Sequence, residues 1–265
     1  MKLNFFIKSY FLSIFAHVGI LIATLITFPE KSKSSECPDY LNMNIQTEDC
    51  YQTPDVMEIK FYELGFCTSD PLSGTDFSRN NCSKAWEYPT GQTVDLADFE
   101  YQNLTDGNTY RIPNNRYDYA YVIFSNVWGM KGRVYFNGDK YYSTSSGAVV
   151  TMEFMFDKFN LDISQLEGGA GCWDYSSNTD YGTVKAVLAN SSLVTATNNT
   201  ECLNANRMIG SINLNNPLNM TSNVKGYRLS WIIRKMGLKS IDVVGSNDPG
   251  GWGGGPFIPS FTLFE

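Results

Sequence analysis

Hydrophobic and polar residues alternate with a period of two along much of the chain after residue 55, which is typical of β-strands. Residues 56–66 largely follow this alternation, and residues 119–128 are apolar on both faces, as in a strand at the centre of a sheet. Residues 137–139 (Asn-Gly-Asp) separate two alternating runs and predict a β-hairpin. Further strands are predicted at residues 85–88, 93–99, 149–159, 207–214, 226–236 and 256–265.

The second half of the chain is less regular. Residues 168–205 begin with Gly-Gly-Ala-Gly and are predicted as a long loop, in which residues 183–189 form a strand or a short helix. The glycine-rich residues 250–255 are predicted as a flexible loop. Many short strands separated by turn residues predict a mainly β protein, an antiparallel β-sandwich that is immunoglobulin-like or jelly-roll-like. We assign this domain to residues 56–265 and a polar connector to residues 35–55.

An uncharged apolar segment lies near the N-terminus, at residues 11–28. As a helix it would be about 27 Å long, enough for the hydrocarbon core of a bilayer. Lys2 and Lys8 precede it, as in a signal peptide or a signal anchor. We therefore assign residues 1–34 to such a segment, either cleaved or retained as a transmembrane helix, and we expect an extracytoplasmic protein that is membrane-anchored or secreted.

His17 is the only histidine of the chain, and it lies inside this apolar segment. Ser13 precedes it by one helical turn, so the two side chains share a helix face. This spacing resembles the N-terminal anchors of TonB- and TolA-type energy transducers, and the resemblance covers about 18 residues. It implies docking of Ser13 and His17 against a proton-driven motor complex. The alternative is a neutral histidine that is tolerated in a signal sequence.

Six cysteines follow the apolar segment, and an even number in an exported chain predicts disulfides. Six cysteines allow 15 pairings. The simplest is sequential and joins Cys37 to Cys50, Cys67 to Cys82, and Cys172 to Cys202. No Cys-x-x-Cys motif is present and no histidine follows residue 17, which argues against zinc sites.

The charge of the chain disfavours one class of partner. The net charge is −7, and residues 1–34 contribute four lysines against Glu30, or +3, so the remainder carries −10. An acidic surface repels phosphate backbones, and we therefore expect no binding to nucleic acid.

Residues 56–148 resemble a group of exported β-rich proteins of marine bacteria. The resemblance implies a surface or envelope protein, and it implies no activity, because none is established for the group. It covers about a third of the chain. The motifs that carry it are Glu63-Leu64-Gly65-Phe66-Cys67, the second cysteine Cys82, residues 93–98 (TVDLAD), residues 107–113 (GNTYRIP), and residues 119–128 followed by 132–136 (GRVYF).

Few residues of the predicted domain point to chemistry. Without histidine, catalysis by a nucleophile–histidine pair is excluded there. Two pairs of carboxylates, Glu153 with Asp157 and Asp174 with Asp180, have residue types that hydrolyse glycosides. Calcium is the one candidate cofactor, since Asp174, Asp180 and Asn178 could ligate it through oxygen atoms, although their spacing is not that of an EF-hand.

Two tryptophans are candidates for binding. Trp173 and Trp252 both lie in glycine-rich segments, where an exposed ring can stack on a sugar or anchor a protein partner. The alternative is that each ring packs under its own loop.

The sequence thus predicts a non-enzymatic cell-envelope or surface protein for adhesion, ligand binding or assembly. Its partners would be a protein or carbohydrate at the loops, or further copies of the chain, with residues 56–66 and 257–264 as edge strands that pair between copies. The alternatives are a membrane-anchored partner of a proton-driven motor, which would use Ser13 and His17, and a carbohydrate-active enzyme.

Overall fold

The computed structural model describes residues 36–37, 50–73, 76–98, 104–136, 139–166, 172, 175–241, 249–255 and 258–265. The apolar segment 11–28, with Ser13 and His17, lies outside the described residues, as do Trp173 and Asp174. No helix within the described ranges is long and apolar enough to cross a membrane.

The prediction of a mainly β protein is confirmed. The described residues form nineteen strands, one short α-helix and one 3-10 helix. The strands are β1 (Cys50–Gln52), β2 (Val56–Cys67), β3 (Leu72–Ser73), β4 (Asp76–Phe77), β5 (Cys82–Asp95), β6 (Asn108–Thr109), β7 (Asn115–Phe124), β8 (Val127–Lys131), β9 (Arg133–Phe136), β10 (Asp139–Ser143), β11 (Val149–Val150), β12 (Phe159–Asp162), β13 (Tyr175–Thr179), β14 (Gly182–Ala189), β15 (Arg207–Met220), β16 (Gly226–Ile232), β17 (Leu238–Ile241), β18 (Gly251–Gly254) and β19 (Ile258–Phe264). The 3-10 helix is Glu153–Met155 and the helix α1 is Asn199–Leu203.

Nine strands form the largest sheet, in the order β12-β8-β2-β7-β15-β14-β13, with β5 paired to β2 and β6 paired to β5. All of its pairs are antiparallel. Strand β7 lies between β2 and β15, which confirms the prediction of a central strand in this region. The apolar run does not continue as one strand to residue 128, because β7 ends at Phe124 and Ser125 and Asn126 separate it from β8.

Two smaller sheets, β16-β19 and β1-β17-β18, supply side chains that pack on one face of the large sheet. The rings of Phe61 and Trp231 are 5.7 Å apart, and those of Phe66 and Tyr227 are 5.1 Å apart. The buried Tyr227 hydroxyl donates a hydrogen bond of 2.7 Å to the Ala85 carbonyl in β5. Burial raises the pKa of Tyr227, so this hydroxyl keeps its proton.

The other face of the large sheet is covered by the loop of residues 68–81, which the disulfide between Cys67 and Cys82 closes. Leu72 of this loop is buried, and the Phe77 ring lies 5.4 Å from the ring of Tyr121 in β7. The structure contains all three sequential disulfides that the sequence predicted. Such bonds fit an oxidising compartment.

Several predicted elements are wrong, for identifiable reasons. Residues 85–88 and 93–99 were expected as two strands, but residues 82–95 form the single strand β5. Pro89 and Gly91 lie in a large bulge of β5 opposite β2, and Gly91 has a φ of +75°. The bulge interrupts the alternation of the strand, so the sequence pattern indicated two strands instead of one. Residues 56–66 are not an edge, because β2 has β5 on one side and β7 and β8 on the other.

The glycine-rich and loop-like segments also contain strands. Residues 250–255 were expected as a flexible loop, but they include β18, which pairs with β17. A Cβ at Gly254 would lie 3.3 Å from Leu161 and 3.4 Å from Trp128, so glycine permits the close approach of these layers. Residues 168–205 were expected as a long loop, and they contain the hairpin β13-β14 and helix α1, with residues 183–189 as strand.

Candidate binding surface

Exposed large apolar side chains are concentrated in one region of the molecule. Eight large hydrophobic residues among those described are at least 36% exposed, and half of them belong to the hairpin β9-β10 or to the turn near residue 154. In this turn Phe154 is 85% exposed, Met152 46% and Met155 39%, and Tyr135 of the hairpin is 37% exposed. Contiguous exposed apolar surface marks contact sites, whereas isolated exposed residues do not.

Hydrogen bonds from Ser143 fix this turn to strand β10. The buried Ser143 hydroxyl donates to the Asp157 carbonyl, and the Asp157 amide donates to the Ser143 carbonyl, both at 2.9 Å. The same hydroxyl accepts a hydrogen bond of 3.1 Å from the Gly132 amide. Two further backbone hydrogen bonds of 3.0 Å close the 3-10 turn Glu153–Met155. Phe154 therefore projects from a backbone that is already ordered.

The hairpin provides the other half of the surface. Its register places Arg133 opposite Tyr142 and Tyr135 opposite Lys140, so these four side chains share one face. Val134 points to the opposite face and is 1% exposed in the core. The antiparallel pairing of β9 with β10 confirms the hairpin that residues 137–139 predicted.

Phe156 joins the turn to the hairpin. Its ring lies 5.3 Å from the Tyr142 ring, and the Lys131 ammonium lies 4.2 Å above it. The Lys140 ammonium lies 5.1 Å from the Tyr142 ring centroid and 5.4 Å from that of Tyr135. Hydrogen bonds with Tyr142 and then Tyr135 raise the pKa of Lys140, so it is charged at neutral pH.

We call this surface the Phe154 face. It combines apolar side chains, which project from the turn, with cations that lie over the rings of Phe156, Tyr135 and Tyr142. Complete burial of a phenylalanine or methionine side chain stabilises a folded protein or a complex by about 1.5 to 3 kcal/mol, and the free protein does not gain this energy from these exposed side chains. Methionine side chains also adapt to irregular partners. The face consists of Lys131, Arg133, Tyr135, Lys140, Met152, Phe154 and Met155.

A second cluster of charges lies under the loop 68–81 and is satisfied internally. The buried Glu63 carboxylate accepts two hydrogen bonds from the Arg79 guanidinium, at 2.7 and 2.8 Å. It also accepts a hydrogen bond of 2.6 Å from the Tyr121 hydroxyl. Burial, together with the Glu63 charge, raises the pKa of Tyr121, so the hydroxyl remains a donor.

This cluster extends to the surface through Lys84. The Lys84 ammonium lies 3.8 Å from the Glu63 carboxylate and pairs with Glu87, which also accepts a hydrogen bond from the Tyr110 hydroxyl. The hydrogen bond with Lys84, followed by that with Tyr110, lowers the pKa of Glu87. We call these residues the Glu63 network: Glu63, Arg79, Lys84, Glu87, Tyr110 and Tyr121.

The network gives a physical account of the motif at residues 63–67. Side chains of alternate residues point to the same side of β2, so Glu63, Gly65 and Cys67 face the loop 68–81. A Cβ at Gly65 would overlap the ring of Tyr121, which lies directly opposite Gly65 in β7. The motif therefore places a carboxylate, a gap for a ring, and a disulfide on one face.

No protein family, curated protein or solved structure matches this chain.

The binding role expected of Trp252 is not supported by its position. Trp252 lies in β18, is 6% exposed and belongs to the main core, so its ring is not available to a sugar or to a protein partner. The flanking glycines indicated a loop to sequence analysis, whereas they allow the tryptophan to pack inward. Trp173, the other candidate, lies outside the described residues.

The predicted carboxylate pairs are described only in part, because Asp174 lies outside the described residues. Glu153 and Asp157 are both exposed, and the Asp157 carboxylate accepts a hydrogen bond from the following amide. Asp180 and Asn178 are exposed at the β13-β14 turn, and the Asn178 side chain accepts a hydrogen bond of 2.8 Å from Thr183. Within the described ranges, no group of three or more acidic, cysteine or histidine side chains could hold a metal ion.

The Phe154 face was missed by sequence analysis. Residues 152–156 (MEFMF) were included in a predicted strand over 149–159, because apolar residues dominate that region. A signal was present, since four of these five residues are apolar and break the alternation of a half-buried strand. The structure instead has the two-residue strand β11, the 3-10 turn and then β12.

Proposed function

We propose that this protein is a non-enzymatic, extracytoplasmic cell-envelope protein that binds a partner through the Phe154 face. The observation that carries the proposal is the 85% exposure of Phe154 on a turn that hydrogen bonds from Ser143 hold to the sheet. A rigid backbone that presents apolar side chains loses little conformational entropy on binding. The three disulfides support placement in an oxidising compartment.

The domain in this proposal is an antiparallel β-sandwich. Support comes from the face-to-face packing of β16, through Tyr227 and Trp231, on the large sheet. The apolar residues 11–28 would deliver the domain across a membrane, as a signal peptide or as an anchor.

Site-specific photocrosslinking tests the binding surface. Phe154 is replaced by p-benzoylphenylalanine in the full chain, which is expressed and irradiated in the native host. Val194 is the matched control, because it is also apolar and is 63% exposed on a different loop. We expect discrete adducts from position 154 and none from position 194. Equal labelling at both positions, or none at 154, would contradict the proposal.

The location has a separate test. Mass spectrometry of the mature N-terminus, from native membranes and from the medium, separates an anchored protein from a released one. An N-terminus before residue 11 in the membrane fraction indicates an anchor, and one after residue 28 in the medium indicates secretion. Protein recovered from the cytoplasm with all six cysteines reduced would contradict an extracytoplasmic function.

A further inference from the structure

The Phe154 face lies beside the place where the chain joins the domain from its N-terminal side. The Cys37 amide donates a hydrogen bond of 2.9 Å to the Tyr51 carbonyl, and the disulfide joins Cys37 to Cys50. Four residues after Tyr51, the Asp55 amide donates a hydrogen bond of 2.8 Å to the carbonyl of Lys131. Four extended residues span at most about 14 Å, so the two contacts are close together.

Side-chain contacts continue from there into the face itself. The Asp55 carboxylate forms a salt bridge of 3.0 Å with Arg133, and the Lys131 ammonium covers the ring of Phe156, two residues after Phe154. These contacts link the face to the segment that follows the attachment point at Cys37. The loop 68–81, in contrast, lies over the opposite face of the large sheet from β16 and β17.

The reach of the N-terminal segment is short. Eight residues lead from Phe28, the last residue of the apolar run, to Glu36, and they span at most about 29 Å when extended. Glu36 is in turn held by a salt bridge of 2.7 Å to Lys235. If residues 11–28 cross a bilayer, the attachment point and the neighbouring Phe154 face both lie near its surface.

The charge of this region also differs from that of the rest of the chain. Residues 127–163 contain four lysines or arginines and four acidic residues, for a net charge of zero, while the whole chain carries −7. An acidic surface is repelled by anionic lipid headgroups, whereas this region is not. Its lysines have long apolar stems, which allow the ammonium groups to reach phosphates while the stems stay in apolar surroundings.

We propose that the Phe154 face docks on the bilayer in which residues 11–28 are anchored. Met152, Phe154 and Met155 enter the boundary between headgroups and acyl chains, while Lys131 and Lys140 face lipid phosphates. This inference rests on the proposed function in its anchored form. The tether keeps the local concentration of lipid high, so a small apolar contact is sufficient for docking.

Depth-dependent quenching in vesicles tests this orientation. The full chain is reconstituted in vesicles of phosphatidylcholine and phosphatidylglycerol, with and without lipids brominated near the headgroup end of the acyl chain. Phe154→Trp reports on the face and Val194→Trp is the matched control. Wild-type protein supplies the background, because four of the five native tryptophans, Trp86, Trp128, Trp231 and Trp252, are buried.

We expect brominated lipid to remove most of the emission that Phe154→Trp adds and to leave the emission that Val194→Trp adds unchanged. Unquenched emission at 154 in protein that floats with the vesicles overturns the docking and leaves the proposed function intact, as does quenching that is equal at both positions. Protein that does not float with the vesicles overturns both the docking and the anchored form of the proposed function.

Discussion

The Glu63 network and the Phe154 face contain the same kinds of residues, cations and aromatic rings, but they differ in what completes them. In the Glu63 network the loop 68–81 brings Arg79 onto Glu63 and Tyr121, so the chain itself satisfies these groups. Beside the Phe154 face the rings of Tyr142 and Phe156 also pack together under cations of the face, yet Phe154 itself remains 85% exposed.

The difference lies in the covering segment. A disulfide between Cys67 and Cys82 holds a loop over the first region, and buried Leu72 seals it. Among the described residues, no such segment lies over Phe154. Interactions that the chain completes contribute to folding, whereas apolar surface left exposed contributes only when a partner covers it. Substitutions in the two regions should therefore separate stability from binding.

The largest effect on stability is expected from Glu63→Ala. The substitution leaves the buried Tyr121 hydroxyl without its acceptor, which costs about 1 to 3 kcal/mol, and it removes the charge-assisted hydrogen bonds of the partly exposed Arg79 guanidinium, which contribute about 1.5 to 3 kcal/mol. Urea unfolding followed by tryptophan fluorescence measures the loss. Glu153→Ala, at an exposed acid on the Phe154 turn, is the matched control and should change stability by less than about 0.5 kcal/mol. Equal effects would show that the network does not stabilise the fold.

The next effect concerns the disulfide that holds the covering loop. Removing the bond with Cys67→Ala and Cys82→Ala should cost about 3 kcal/mol, as chain entropy predicts for a loop of about 15 residues. Removal of the bond between Cys37 and Cys50, with a separation of 13, is the control because its entropic contribution is nearly the same. An additional loss for the first pair measures the contribution of the cover over Tyr121. If removal of the bond between Cys37 and Cys50 lowers the free energy of unfolding more than removal of the bond between Cys67 and Cys82, the loop 68–81 is not the stabilising cover.

A smaller effect is expected from Glu87, at the surface end of the network. Its lowered pKa means that the folded state holds the carboxylate in its charged form more strongly than the unfolded state does. The resulting stability is complete above the unfolded pKa of about 4.3 and is lost as the pH falls through the lower folded pKa. Because the pair with Lys84 is partly solvated, we expect roughly 0.2 to 1 kcal/mol.

Glu87→Gln measures this contribution. Its free energy of unfolding should lie below that of the wild type at pH 7, and the difference should vanish in acid, below the folded pKa. Lys84→Met should show the same pH dependence, because it removes the main cause of the shift. A Glu87→Gln deficit of equal size at pH 7 and in strong acid would instead indicate lost packing.

Strands were predictable because alternation is a local pattern, as the alternation in residues 56–66 shows for β2. The sequential disulfides were the simplest of 15 possible pairings, and the structure bears them out although cysteine spacing alone does not determine them. The position of β2 between two neighbours was not predictable, because pairing depends on segments far along the chain. For the same reason β5 was divided in two by its bulge at Pro89 and Gly91.

The site was less predictable than the fold, because exposure depends on what covers a residue. Trp252 and Phe154 both lie in segments whose local sequence did not predict their exposure. Glycines around Trp252 indicated an exposed loop, but other layers cover it. The apolar residues around Phe154 indicated a strand, but a 3-10 turn held by hydrogen bonds of Ser143 exposes Phe154 there. Neither outcome follows from residue type alone.

The smallest expected effect on stability is also the sharpest test of the comparison. Phe154→Ser removes an apolar side chain that is already in water, so it should change the free energy of unfolding by less than about 0.5 kcal/mol. Tyr121→Phe removes one hydroxyl that donates to buried Glu63 and should cost about 1 to 3 kcal/mol. For contact with lipid or partner the order should reverse, with a loss for Phe154→Ser and none for Tyr121→Phe. Urea unfolding measures the stability. Quenching by brominated lipid of a tryptophan introduced at position 155 measures the contact with the bilayer. A Phe154→Ser variant as unstable as Tyr121→Phe would place Phe154 in the core, and its exposed face could then have no role in binding.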